Sequence, residues 1–156
     1  MLTIRKMAGP DIPRVSQILT ANYLFIAAPD KIPSDRMPAL LEKCASVNAV
    51  TDMPNNRDCY VALSGKDVIA FLTIKGDQIG DLFVDPAQHR KGFGAEVFEF
   101  AKETIRKAGH KRLVLVTTGY GIPFYQAMGM TITGKIDITS GPLRGGKTTR
   151  LEMPLA

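Results

Sequence analysis

The chain has 156 residues, 45% hydrophobic and 22% charged, with 20 Lys+Arg against 15 Asp+Glu and a net charge of +5. This length suits a single domain spanning 1–156, and the composition excludes wholesale disorder and fibrous repeats. Cys44, Cys59, His89 and His110 are the only cysteines and histidines, which excludes a disulfide framework, a Cys-rich zinc site and a multi-histidine metal site.

Met1 to Arg14 carries no apolar run followed by a small-residue cleavage site, so the expected compartment is cytoplasmic. Leu2 to Lys6 reads as a strand. Asp11 then offers an N-cap, with Pro13 in the first turn of a helix running to about Leu24. Val15, Ile18, Leu19 and Tyr23 supply its helical spacing. Pro29 and Pro33 mark a loop, and Asp35 to Ser46 a second helix. Asn48 to Asn56 is expected to be loop or turn.

Cys59 to Leu63 and Val68 to Ile74 are apolar runs around Ser64-Gly65-Lys66-Asp67, a hairpin pattern. Ile79 to Val84 follows after the Gly76-Asp77 turn and completes an antiparallel meander. Past Asp85-Pro86, a glycine-bearing loop leads into a helix reaching Lys107, with Phe93, Val97, Phe100, Ala101 and Ile105 as its apolar stripe. Gly109 is its stop. Leu113 to Val116 reads as a strand buried on both faces. Pro123 to Met128 forms a short helix, and Met130 to Ile138 with Thr148 to Met153 a closing antiparallel pair. The class is α+β, with a mixed, mostly antiparallel central sheet flanked by helices.

The segment that carries chemistry is Ile79-Gly80-Asp81-Leu82-Phe83-Val84-Asp85-Pro86, followed by Ala87-Gln88-His89-Arg90-Lys91-Gly92-Phe93-Gly94-Ala95. A strand, a short loop and a glycine-opened helix start together make an anion site. The first backbone N–H groups of a helix lack intrahelical acceptors and sit at the positive end of its dipole. Gly92 and Gly94 let phosphate oxygens approach the backbone, and Arg90 and Lys91 add positive charge. The run Gly141 to Thr148 satisfies the P-loop spacing. No helix can follow it, so it reads as a hairpin loop.

Leu82 to Gly94 resembles the acetyl-CoA signature of the GNAT superfamily of N-acetyltransferases. Ile122-Pro123-Phe124-Tyr125-Gln126-Ala127-Met128-Gly129-Met130 is similar to that family's second signature, and the element order matches throughout. The resemblance implies a GNAT-like domain in which the strand before the loop splays from its parallel neighbour. Backbone groups of Leu82, Phe83 and Val84 would pair with the pantetheine arm of acetyl-CoA. The loop of His89, Arg90, Lys91, Gly92, Phe93 and Gly94, with Ala95, would wrap its pyrophosphate. Tyr125 would be the catalytic acid at the departing sulfur, since a phenol remains a proton donor at neutral pH.

The implied reaction is direct attack of an amine on the thioester in a ternary complex, without a metal. The acceptor is a small-molecule or protein amine, with neither nucleic acid nor membrane as partner. A homodimer through the sheet edge or the C-terminal strands stays open. Three positions depart from the family pattern. His89 stands where Arg or Gln is preferred, and Thr118 where Asn is common. Gln78 occupies the place of an acidic base, flanked by Asp77 and Asp81, which strand alternation directs to the opposite face. The alternative is a non-catalytic acyl-CoA-sensing or protein-interaction module on the same fold.

Overall fold

Each strand expected from the apolar runs forms, and all join one sheet. A computed structural model describes residues Met1–Ala156. The strands are β1 (Thr3–Lys6), β2 (Asp58–Ser64), β3 (Asp67–Lys75), β4 (Gln78–Val84), β5 (Arg112–Thr117), β6 (Thr131–Asp137) and β7 (Lys147–Pro154). The helices are α1 (Ile12–Ile26), α2 (Met37–Cys44), α3 (Val47–Asp52), α4 (Phe93–Lys107) and α5 (Ile122–Ala127). The seven strands lie in the order β1-β2-β3-β4-β5-β7-β6. Only β4 and β5 are parallel, because α4 carries the chain across between them. No helix is long and apolar enough to cross a membrane.

The two faces of the sheet bury different clusters. Val97, Phe98, Ala101 and Ile105 of α4 pack with Leu72, Ile79, Val84, Leu113 and Leu115. Val15, Ile18 and Leu19 of α1, with Val50 of α3, pack with Val61 and Phe71. Phe98 is fully buried whereas Phe100 is half-buried, so the stripe of α4 is one position wider than the sequence spacing suggested. Glu96 in its first turn and Arg106 and Lys107 in its last match the helix dipole.

Two local expectations change. Asp11 does not cap α1. Its carboxylate turns back to accept from the Ala8 N–H at 2.8 Å and the Arg5 guanidinium at 2.7 Å, while its own backbone is already helical. The stretch expected as a loop after Asn48 forms α3 and a short 3-10 turn, Met53–Asn55. The signal is Ser46, whose hydroxyl accepts from the Ala49 N–H at 3.1 Å and caps the helix. Within the Gly141 to Thr148 run, Gly141 to Gly146 lies in the hairpin loop between β6 and β7, closed by Ile138 and Gly146, and Lys147 and Thr148 begin β7.

Two side chains of α1 hold the tip of β4. Buried Asn22 donates to the Val84 carbonyl at 2.9 Å, and Arg14 pairs with Asp85 at 2.6 Å. Burial alone would raise the Asp85 carboxyl. The Arg14 guanidinium and the Ala87 N–H outweigh it and hold that carboxyl below its ordinary 3.8. A lowered folded value means stability that is present at neutral pH and lost as pH falls through about 3.8 and below. Asp85→Asn should therefore cost about 1–2 kcal/mol at pH 7. Chemical denaturation from pH 7 to pH 3 should show the wild type and the variant converging in acid. A constant difference would remove the Arg14–Asp85 pair as its source.

Candidate functional site

The site begins where β4 and β5 part. They share a single bridge, Gln78 with Val114, closed by the Val114 N–H on the Asp77 carbonyl at 3.0 Å. Beyond it the strands have no ladder. Val116, expected to be buried on both faces, is 50% exposed because its neighbour has moved away.

The register of β4 against β3 determines which backbone groups face this gap. Asp85 donates to Ile69 at 2.8 Å, which makes 69/85, 71/83 and 73/81 the hydrogen-bonded pairs. Phe83 therefore spends its backbone on Phe71, against the expectation that it faces a ligand. Leu82 and Val84 turn their backbone groups towards the gap. The Val84 carbonyl is already taken, by Asn22 and by His89 Nε2 at 3.0 Å. What remains free is the Leu82 N–H and carbonyl and the Val84 N–H.

A bulge interrupts β4. Thr73 opposes Asp81 and Ile74 opposes Ile79, so Gly80 has no partner. A Cβ there would lie 2.7 Å from Thr73 Oγ1, which excludes larger residues. The extra residue reverses the alternation. Ile79, Leu82 and Val84 face α4, whereas Gly80, Asp81 and Phe83 face α1 and α3. Asp81 thus lies on the same face as Gln78, not the opposite one. A glycine inside an otherwise apolar strand is the sequence signal for this.

At the end of β4 the chain turns into α4 through Arg90 (φ 64°) and Gly92 (φ 80°), both left-handed. The backbone N–H groups from Arg90 through Ala95 find no acceptor within the protein; the first to do so is Glu96, on Gly92 at 3.3 Å. Successive N–H groups around left-handed residues form an anion-binding concavity, continuous here with the positive end of α4. Arg90 is exposed and Lys91 reaches Gln88 at 3.0 Å. His89 differs from expectation: its ring turns inward, onto Val84 and edge-on to Phe25 at 5.1 Å. The two glycines serve different ends. Gly92 has open space around it and a backbone that favours glycine. Gly94 has ordinary backbone, but a Cβ would meet Phe124 at 3.2 Å. Phe93 and Ala95 are half-buried beside it, Phe93 within the α4 core.

Across the gap, α5 supplies Tyr125, 8% exposed and packed 5.0 Å from Phe124 and 6.2 Å from Phe98. Burial, and the nearby charge of Asp81, push its hydroxyl up, so it stays protonated. That oxygen makes no hydrogen bond within the protein. It is not sealed off either, since no fully buried side-chain oxygen or nitrogen goes unpaired. Thr118, which stands where the resembled family commonly has Asn, donates to Asp30; Asp30 also accepts from the Tyr120 N–H at 2.7 Å. Phe25 stands between His89 and Tyr120, 5.4 Å from the latter, and so bridges both lips of the gap.

On the α1–α3 side, a cleft of about 340 Å³ opens over Asp81. Tyr23, Lys43, Cys44, Asp52 and Arg57 help to line it. Asp81 accepts from Thr73 Oγ1 at 2.7 Å and pairs with Arg57 at 3.3 Å. Burial raises both thiols, Cys59 to about 11, so neither is a thiolate at neutral pH. The sequence flagged the cradle and Tyr125. It did not single out Asn22, Asp30 or Phe25, whose partners lie far along the chain.

A sequence model of the acetyltransferase (GNAT) family matches residues 20–130. No curated protein sequence matches the chain. Among solved structures, a GCN5-related N-acetyltransferase from Rhodopseudomonas palustris has TM-score 0.86 at 15% identity, covering 98% of this chain and 95% of its own. The PaiA N-acetyltransferase from Thermoplasma acidophilum, solved with coenzyme A, has TM-score 0.79 at 15% identity, covering 99% of both chains. A GNAT superfamily phosphinothricin acetyltransferase from Sinorhizobium meliloti, solved with AcCoA, has TM-score 0.67 at 17% identity, covering 99% and 89%. These likenesses establish the fold.

The two glycines should fail differently. Gly94→Ala should destabilise the protein by about 1–3 kcal/mol through overpacking against Phe124. Gly92→Ala should cost about 1 kcal/mol through backbone strain alone. Adding Phe124→Leu should relieve the first and leave the second, as read by thermal unfolding.

Proposed function

This chain belongs to the acetyltransferase (GNAT) family, and from that premise we propose that it moves an acetyl group from acetyl-CoA to an amine in a ternary complex. The observation that carries the reading is the uninterrupted run of free N–H groups from Arg90 to Ala95, beside a parallel strand pair that has parted. The two fit the two ends of the donor: a pyrophosphate at the cradle, and a peptide-like pantetheine arm along the free groups of Leu82 and Val84. The neighbours solved with coenzyme A or AcCoA support this choice of ligand.

Acetyl-CoA supplies an activated thioester carbonyl. The amine nitrogen attacks that carbon, the new C–N bond forms and the C–S bond breaks. The Tyr125 hydroxyl, kept protonated by burial, gives its proton to the leaving sulfur and regains one, through water, from the second proton the nitrogen sheds on becoming an amide. Asp81, placed by the Gly80 bulge on the acceptor side, draws in the ammonium and takes its proton, directly or through water. The rival reading, a non-catalytic acyl-CoA sensor, drew on the amide at Gln78. Asp81, an acid on the same face, supports the enzyme reading over a sensing or protein-interaction module.

Acetyl-CoA at a hundred times its dissociation constant should add about 2.7 kcal/mol, or several degrees in thermal unfolding. No shift at millimolar acetyl-CoA would end the acetyltransferase reading. Tyr125→Phe should lower turnover about a hundredfold with acetyl-CoA affinity nearly intact; unchanged turnover removes the residue from the mechanism. Asp81→Asn should lower kcat/KM similarly at neutral pH. Its deficit should shrink as pH nears the acceptor's own pKa, where free amine forms unaided. A deficit independent of pH would leave Asp81 only a structural part.

A further inference from the structure

The acceptor side carries a charge pattern that an ordinary amine does not need. Lys43, on the wall of the Asp81 cleft, extends its Nζ to the β6–β7 loop, 3.0 Å from where a Cβ on Gly141 would lie. Arg144 folds over the same glycine, donating to the Gly141 carbonyl at 3.1 Å. Arg36, just before α2, donates to the Arg144 carbonyl. These three cations meet where α2 abuts the loop, and none has a carboxylate within ion-pair distance, whereas Arg57, Lys147 and Arg150 nearby are all paired. Arg57 commits one Nη to Asp81 and its Nε to Asn56, leaving its other Nη free. Asp52 and Asp81 line the same cleft as Lys43. Unpaired like charges brought together cost energy unless an anion joins them.

We propose that the acceptor is a small amine bearing an anionic group, a carboxylate or a phosphonate, with its ammonium at Asp81 and its anion at Lys43 and Arg144. This rests on the acetyltransferase reading and narrows its substrate class. The cleft volume of about 340 Å³ suits a small molecule. A polyamine or an uncharged amine would leave the rim cations unanswered.

The test compares matched acceptors with the intact protein and acetyl-CoA. The twenty α-amino acids and 2-aminoethylphosphonate are set against the amino acid amides and putrescine, and thiol release is followed. Calorimetric binding of the same compounds to the CoA-bound protein gives a readout that needs no turnover. At least one acidic amine should exceed its neutral counterpart about tenfold or more in kcat/KM and in affinity. Lys43→Gln and Arg144→Gln should each collapse that ratio towards one. Gly141→Ala, which crowds Lys43, should reduce it.

Equal or better use of amides or putrescine overturns this inference and leaves the acetyltransferase reading standing. So does failure of every acidic amine to bind or react while acetyl-CoA still shifts the melting temperature. Absence of any acetyl-CoA shift overturns both.

Discussion

The separation of β4 from β5 is the constraint on which everything else depends. Two parallel neighbours normally satisfy one another's backbone along their whole length. Here they meet only at Gln78 and Val114 and then diverge. An unpaired backbone group away from water is costly, so the gap exists only because other parts of the chain hold it open. Asn22 and His89 occupy the Val84 carbonyl, Arg14 fixes Asp85, and Asp30 fixes the start of the α5 loop. Three of these, Arg14, Asn22 and Asp30, come from α1 and the turn after it. This helix is the strut of the opening and not merely a cover for one face of the sheet.

The same opening sorts the chemistry by face. On the α4 side lie apolar packing, the N–H cradle and the phenol of Tyr125. On the α1–α3 side lie Asp81, Arg57 and the rim cations. A single extra residue, Gly80, decides that Asp81 belongs to the second group. Without the bulge its carboxylate would point into Leu72, Ile79 and Leu113, where an unpaired charge is severely disfavoured.

Much of this was legible in the sequence, and the parts that were not share a cause. The strands, the hairpin turns and the cradle follow from local pattern: apolar runs, Gly-bearing turns, a strand leading into Gly-x-Gly. The errors arise where a distant partner or a shift in register decides. Asp11 looked like a cap because its local setting is that of a cap, but Arg5 competed for it. Val116 looked buried because its run is apolar; its exposure depends on where β4 goes. Phe83 looked like its neighbours Leu82 and Val84, yet pairing parity sets it apart. Ser46 and Gly80 are different: a hydroxyl three residues before Ala49 and a glycine inside an apolar strand are local signals of a cap and a bulge.

The cradle is made of peptide groups. From Arg90 to Ala95 the donors are main-chain N–H, and side-chain identity is constrained chiefly at the two glycines and at Phe93, which packs into the α4 core. Such a site is indifferent to most substitution, since almost any residue brings the same amide. Drift can then rewrite nearly the whole surface while the donor groove persists. Sequence is thus held at few positions in the cradle, whereas the cleft over Asp81 is lined by side chains and changes its chemistry with each substitution.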